Sequence, residues 1–347
     1  MRRFIGVLIC GLVFIPAVGA QYVASQHPSW AYGFTEPPGT APPTPAPAEA
    51  PAGGGGAAAA PAPPDTTPRS LPGSDRTFTR AEANDRFGPA DWFPSEHPAP
   101  QPIVANGRRD ADSWACGLCH YLGGKGRQEN AGLAGLPYDY FVQTMMDFRN
   151  GLRHNADPRK ANTNRMVAFA KAMTEDEIRA SARYYASMPW TPWIRVVETT
   201  TVPKTRMQFG VFFRLPGNET EPLGVRIVEG PESEERFGLR DPHSGFVAYA
   251  PVGSIKAGET LATTGGNGKT IQCSICHGPN LEGVGPVPGI AGRSPSYLAR
   301  QLYDMQMGTR VGSWAQLMKP AVENLTAEDL VAISAYTASL PPQAAVR

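Results

Sequence analysis

The sequence predicts a mainly α protein, with two copies of one small helical domain joined by a strand-containing segment and preceded by a low-complexity N-terminal stretch. Three observations predict it. Residues 116–153 overlay residues 273–310 without a gap at a constant offset of 157, and such self-similarity marks a duplicated unit. Within each copy, apolar residues recur at helical spacing: Phe141, Met145 and Phe148 in one, Leu298, Leu302 and Met305 in the other. Between the copies, runs such as Trp193-Ile-Arg-Val-Val197, Phe209-Gly-Val-Phe-Phe213 and Gly224-Val-Arg-Ile-Val228 are β-branched or aromatic and bounded by Pro and Gly, which reads as short strands.

The N-terminus is Met1-Arg2-Arg3, followed by a charge-free apolar run over 4–20 that ends Val18-Gly19-Ala20, the pattern of a secretory signal. The run is slightly short of the roughly 20 residues of a membrane helix, so cleavage after Ala20 and retention as an anchor both stay open. Either way the chain leaves the cytoplasm. Cys10 lies in this run as an ordinary small hydrophobe. Residues 37–72 are Pro, Ala, Gly and Thr with hardly a large apolar side chain, and cannot bury enough surface to fold. Extended at about 3.1 Å per residue, this tether spans on the order of 110 Å. That reach is useful if its far end is held, by an anchored N-terminus or by docking of the aromatic patch Trp30, Tyr32 and Phe34. Simple packing of those three rings on a folded domain is an equal alternative. The expected divisions are 1–20 signal or anchor, 21–75 tether, 76–104 N-terminal extension, 105–190 first domain, 191–254 strand-rich spacer and 255–347 second domain.

Under the 157 offset, Gly132-Leu-Ala-Gly135 falls on Gly289-Ile-Ala-Gly292, Tyr140 on Tyr297, Asp147 on Asp304, Gly151 on Gly308 and Arg153 on Arg310. After a five-residue difference in one loop the offset becomes 152, pairing Met166 with Met318, Met173-Thr174 with Leu325-Thr326, and Tyr184 with Tyr336. Helices are expected over 138–149 and 296–307. The last helix of each copy begins at a capping box, Thr174-x-x-Glu177 or Thr326-x-x-Asp329, and runs to Pro189 or Pro341.

Net charge is +1 and no Lys/Arg block exceeds two residues, which excludes a nucleic-acid binder. Of the five cysteines, the four besides Cys10 all lie in two units, Cys116-Gly-Leu-Cys119-His120 and Cys273-Ser-Ile-Cys276-His277. No thiol is left for a disulfide, although an exported chain would permit one. Cys-x-x-Cys-His is the attachment signature of c-type haem: two thiols bond the two vinyl groups, and the turn sets the next imidazole beneath the iron. Zinc ribbons place their second Cys pair about 15–20 residues on, and thiol redox centres need no His. With six His in 347 residues, chance places one after both pairs only about 1 time in 3,000. Two covalently attached haem c groups are the expected cofactors.

The sixth iron ligand separates a carrier from a catalyst. Met166 and Met318 are equivalent, each eight residues before the capping Thr, in stretches expected to be loops able to fold over the haem. The expected iron ligands are therefore His120 with Met166 and His277 with Met318. Met145, Met146, Met305 and Met307 read as helix core, and Met173 is matched by Leu325, which cannot ligate iron. His27, His97, His154 and His243 have no repeat partner and read as structural or solvated, with His154 lying in the first distal loop. That loop also carries Arg153, Arg159, Lys160, Arg165 and Lys171, against chiefly Arg310 and Lys319 in the second. A basic rim that steers an acidic partner and an ordinary solvated face are both open readings.

On these motifs, residues 105–190 and 255–342 resemble class I cytochrome c domains in the two-domain dihaem arrangement of periplasmic bacterial cytochromes. The resemblance implies that a backbone carbonyl, usually of a proline, accepts the proximal imidazole's Nδ1–H. Pro288 matches that position, and Ala131 replaces it in the first copy. It implies a periplasmic electron carrier, soluble or held to the inner membrane by its N-terminus, and not an enzyme. Its expected partners are a dehydrogenase or quinol-oxidising complex and a terminal oxidase or reductase. The competing readings are a dihaem peroxidase or thiosulfate-oxidising cytochrome, against which the paired Met positions argue, and the electron-transfer subunit of a dehydrogenase complex.

Overall fold

The computed structural model describes residues 27–39 and 65–342. The apolar run at 4–20, Cys10 and most of the Pro/Ala stretch lie outside the described residues. Within them the chain starts with a single helical turn, α1 (Ser29–Tyr32), and later a two-residue hairpin, β1 (Arg69–Ser70) with β2 (Thr77–Phe78). The first copy contributes α2 (Pro102–Ala105), α3 (Cys116–His120), α4 (Tyr138–Arg149), α5 (Ala161–Ala172) and α6 (Glu175–Ala186). The second contributes α7 (Ser254–Thr264), α8 (Ser274–His277), α9 (Pro295–Gln306) and α10 (Ala327–Ser339).

Both predicted capping boxes form. Thr174 accepts from the Glu177 amide while Glu177 reaches back to the Thr174 amide, and Thr326 and Asp329 do the same. From its box, α6 turns Ile178, Ala182 and Tyr185 into the first core, the i, i+4, i+7 stripe of a helix buried on one side. α10 is apolar nearly all round, and every residue from Leu330 to Ala338 except the half-buried Tyr336 is buried, with α7, α9 and the central sheet packed against the helix.

The segment between the copies is mostly strands, with one short helical turn at Glu234–Gly238: β3 (Ile194–Glu198) pairs in parallel with β9 (Phe246–Ala250), which pairs antiparallel with β8 (Val228–Pro231). Two hairpins lie beside it, β4 (Thr201–Pro203) with β7 (Thr220–Pro222) and β5 (Thr205–Gln208) with β6 (Val211–Arg214). Alternation along β6 makes it a wedge. Val211 and Phe213 enter the first core, while Phe212 between them enters the second. Glu229 on β8, fully buried, accepts from the Ser294 hydroxyl (2.8 Å) and the Ser296 amide (3.0 Å), tying the strand to the start of α9.

The two copies also meet directly across a pseudo-two-fold seam. Arg153 and Arg310, equivalent by sequence, form an antiparallel bridge. His154 N–H donates to Thr309 O and Val311 N–H to Leu152 O, both at 2.8 Å. Arg153 donates to the Tyr297 hydroxyl (3.0 Å) and Arg310 to that of Tyr140 (2.9 Å), so each arginine holds the other copy's equivalent tyrosine.

Trp30 and Tyr32 pack into the second core rather than standing free. Tyr32 is fully buried and donates to Asp304 at 2.6 Å. Phe34 lies under the Arg159 guanidinium, 4.0 Å from its ring centre. The extension forms a satellite core from Trp92 and Phe93 with Leu239, and Trp92 Nε1 donates to Leu239 O (2.7 Å). It is also bound to the first copy through His97, whose Nε2 is 3.2 Å from Asp91 and whose Nδ1 is 3.1 Å from the Tyr184 hydroxyl. Burial opposes the charge on His97, but the hydrogen bond and charge of Asp91, with the Pro98 carbonyl and Glu96, outweigh it and raise the pKa above 6.5. A raised folded-state pKa adds stability that is complete below the unfolded value and is lost as pH rises through the folded one. Replacing Asp91 by Asn should therefore lower the melting temperature more at about pH 5.5 than at about pH 8.5. Equal losses at both would show that the His97–Asp91 pair is not charged.

Candidate haem-attachment sites

Each Cys-x-x-Cys-His unit folds as one helical turn, α3 or α8, which brings two thiols three residues apart and the following imidazole to one locality. Burial pushes the Cys116 thiol up to about 12 and the Cys273 thiol to about 11, so both are neutral in the unmodified polypeptide. His120 Nδ1 lies 2.7 Å from the Ala131 carbonyl, and His277 Nδ1 lies 2.8 Å from that of Pro288. A carbonyl only accepts, so Nδ1 carries the proton and Nε2 keeps its lone pair for a metal. Burial also lowers the pKa of both rings against the pull of those carbonyls, which favours the neutral, ligating form. The implied carbonyl acceptors are thus present in both copies, Ala131 serving as well as Pro288.

Beside α3 opens a cleft lined by Cys116, Cys119 and His120 and by Phe141, Met145 and Phe148. Its apolar walls and thiols suit a flat, largely apolar ring carrying two vinyl groups. Met166 lines this cleft. It was expected in a loop but sits inside α5, because 161–172 holds four alanines and no Gly or Pro to break a helix. Met318 ends a 3-10 turn, Ala315–Met318, and packs half-buried on the second core.

Among the other methionines, Met145 and Met305 are core, whereas Met307 caps α9 and is 42% exposed, against expectation. Met173 and His154 also line the first cleft. His27 stacks on Tyr32 and His243 Nε2 lies 2.8 Å from Glu96, both in structural settings. Of the five cations of the first distal loop, two are withdrawn from the surface, while Arg159, Arg165 and Lys171 stay exposed. Arg153 and Lys160 are buried, Arg159 is bound to Asp157 and Arg165 lies over the Trp114 ring. Sequence reading passed over one residue, Tyr121, directly after His120. Its backbone (φ 61, ψ 154) falls where essentially only glycine goes, and its equivalent is Gly278 (φ 84, ψ 159). The glycine in one copy and its absence in the other were the available signal.

Two such turns define the class: the chain is a c-type cytochrome carrying two covalently bound haems. No family model matches the chain. Thiosulfate dehydrogenase electron acceptor of Thiomonas intermedia strain K12 is 26% identical over 233 residues, which cover 65% of this chain and 79% of that protein. Cytochrome c4 of Azotobacter vinelandii is 32% identical over 93 residues, 25% of this chain and 43% of that one. The structure of thiosulfate dehydrogenase (TsdBA) from Marichromatium purpuratum aligns with a TM-score of 0.45 at 25% identity, over 68% of this chain and 38% of that one.

Tyr121 holds its unfavourable backbone because its ring is buried, Arg127 donates to its hydroxyl at 3.1 Å, and the Tyr185 hydroxyl donates to its carbonyl at 3.3 Å. Substituting Gly relieves about 1–3 kcal/mol of strain but forfeits the burial of a large ring, about 3–5 kcal/mol. Tyr121→Gly is therefore expected to destabilise by about 1–3 kcal/mol in urea unfolding; a more stable variant would mean that strain dominates.

Proposed function

We propose that this chain is a periplasmic electron carrier in which Cys116 and Cys119 hold one haem and Cys273 and Cys276 the other. His120 with Met166 and His277 with Met318 are the axial ligands. The observation that carries this reading is the pair of equivalent imidazole-to-carbonyl hydrogen bonds, which aims each Nε2 from an attachment turn. Haem iron, when bound, supplies reversible one-electron chemistry. The chain's part is to orient each imidazole, to offer a soft thioether that suits both oxidation states, and to keep water from the first cleft with aromatic walls. The strand segment acts as the spacer that fixes the two halves, a role supported by β6 and its side chains in both cores.

The electron donor we propose is a dehydrogenase that oxidises thiosulfate, on the strength of the relative named as an electron acceptor for such an enzyme. Export to the periplasm rests on the N-terminal Arg2-Arg3 and the apolar run after them.

Replacing Met318 by Ala should leave two haems per chain in a pyridine haemochrome assay, lower the potential of one and let its ferrous form bind carbon monoxide. Met166→Ala should do the same at the other haem. A second reading applies to the first site alone, since His154 lines the same cleft. If Met166→Ala changes neither spectrum nor potential while His154→Ala does, His154 is the ligand.

The donor is tested by stopped-flow mixing of the oxidised chain with a purified thiosulfate dehydrogenase and thiosulfate. The expected result is thiosulfate-dependent reduction by two electrons per chain. Reduction that is equally fast without thiosulfate, or no reduction at all, would remove this donor.

A further inference from the structure

The two attachment turns match in sequence and differ in surroundings. In the first, Leu118 is 3% exposed. The Arg240 guanidinium donates to the Leu118 carbonyl and the Ala115 amide donates to Arg86 O, so segments outside both repeats lie over the turn. Gly117 has no room for a side chain, because a Cβ there would come 2.6 Å from Leu122. Cys119 faces a recessed cavity of about 1200 Å³ walled by Arg127, Lys160, Phe209 and Phe237. In the second turn, Ile275, the equivalent of Leu118, is 68% exposed and Cys276 is at the surface. Ile271 and Val284 on the flanking segments are also exposed, at 41% and 49%. Of the cations on neighbouring segments, Lys269 pairs with Asp329, while Lys319 donates to Gln306 O and keeps its charge.

We propose that electrons pass between this protein and its redox partner at the Ile275–Cys276 face of the second domain and not at the first attachment turn. The partner that fits is a redox protein whose own centre lies beneath an apolar, uncharged patch. A face whose exposed side chains are chiefly Ile275, Ile271 and Val284 gives a charged rim little to pair with, and apolar contact supplies most of the binding free energy at such a patch. At the first turn Leu118 is buried under Arg240 and Cys119 is only partly exposed, so a flat partner surface meets no comparable apolar patch there. This inference rests on the carrier function proposed above.

The test uses the fully reduced holoprotein and tris(phenanthroline)cobalt(III), a bulky oxidant with an apolar surface. Each cobalt(III) takes one electron and becomes cobalt(II), so two are consumed as both haems become ferric. Ile275→Asn and Ile275→Gln, which add no charge facing the tripositive complex, are both expected to slow oxidation about tenfold through lost apolar contact. Phe209→Lys, at the mouth of the recess, is expected to leave the rate unchanged. Haem content and potentials are measured alongside, and Val284→Asn replaces the Ile275 variants if those fail to take up haem. Unchanged rates in the Ile275 and Val284 variants, or slowing confined to Phe209→Lys, would overturn the assignment while leaving the carrier function intact. A wild-type protein that gives the oxidant no electrons would overturn both.

Discussion

The hydrogen bond from each motif imidazole to a carbonyl eleven residues later is the constraint from which the rest of each copy follows. It makes the intervening chain return beneath the ring, and only a tight reversal does so in that length. Gly126 and Gly283, equivalent by sequence, supply it with φ of 67° and 94°. A Cβ on Gly126 would lie 2.3 Å from the Ala131 carbonyl, the oxygen that His120 needs. The bond also decides the tautomer, so a backbone contact governs which imidazole nitrogen faces a metal.

The seam between the copies uses the same economy of equivalent residues. Arg153 and Arg310 meet there without a carboxylate on either, sharing the Gln301 carbonyl oxygen (2.8 and 3.0 Å) and each donating to a tyrosine hydroxyl. Burying a guanidinium costs several kcal/mol unless its donors are met; here neutral oxygens meet the terminal nitrogens, and Arg310 Nε is left without a partner. The surplus positive charge is felt nearby. Burial alone would raise Tyr140, yet Arg310 and Arg153 bring it down to about 8. Tyr140 and Arg153 also line the first cleft, together with Arg300 and the carboxylates Glu129 and Asp304.

Much of this was legible because the chain says it twice. The attachment turns, α4, α9, both capping boxes and the strands between the copies could be read from spacing and repetition. The helix around Met166 could not, since its counterpart at Met318 is a 3-10 turn and a shorter loop, and the repeat gave no common pattern there. The reciprocal seam was half visible: Tyr140, Tyr297, Arg153 and Arg310 emerged as equivalent pairs, but sequence cannot say that equivalence is satisfied across the interface rather than within each copy. The burial of Trp30 and Tyr32 in the second core, some 270 residues from Asp304 and Tyr303 along the chain, is a long-range contact without a local signal.

What the duplicated sequence hides is that its copies are no longer alike. Gly278 ends the second turn in a backbone region glycine enters freely, while Tyr121 ends the first in the same region at a cost of about 1–3 kcal/mol. A tyrosine stays there only if its ring is held. The ring is packed edge-on to Trp193 and bonded to Arg127, whose guanidinium lies 3.8 Å from the centre of the Phe237 ring. Trp193 and Phe237 belong to the segment between the repeats, so the strain at the first turn and its covering have one source: packing against parts of the chain that the repeat does not contain. The second turn, with no such packing, keeps its glycine and its exposure. Two equivalent attachment sites thereby acquire unequal access, and that inequality lets a duplicated domain have an inner and an outer end.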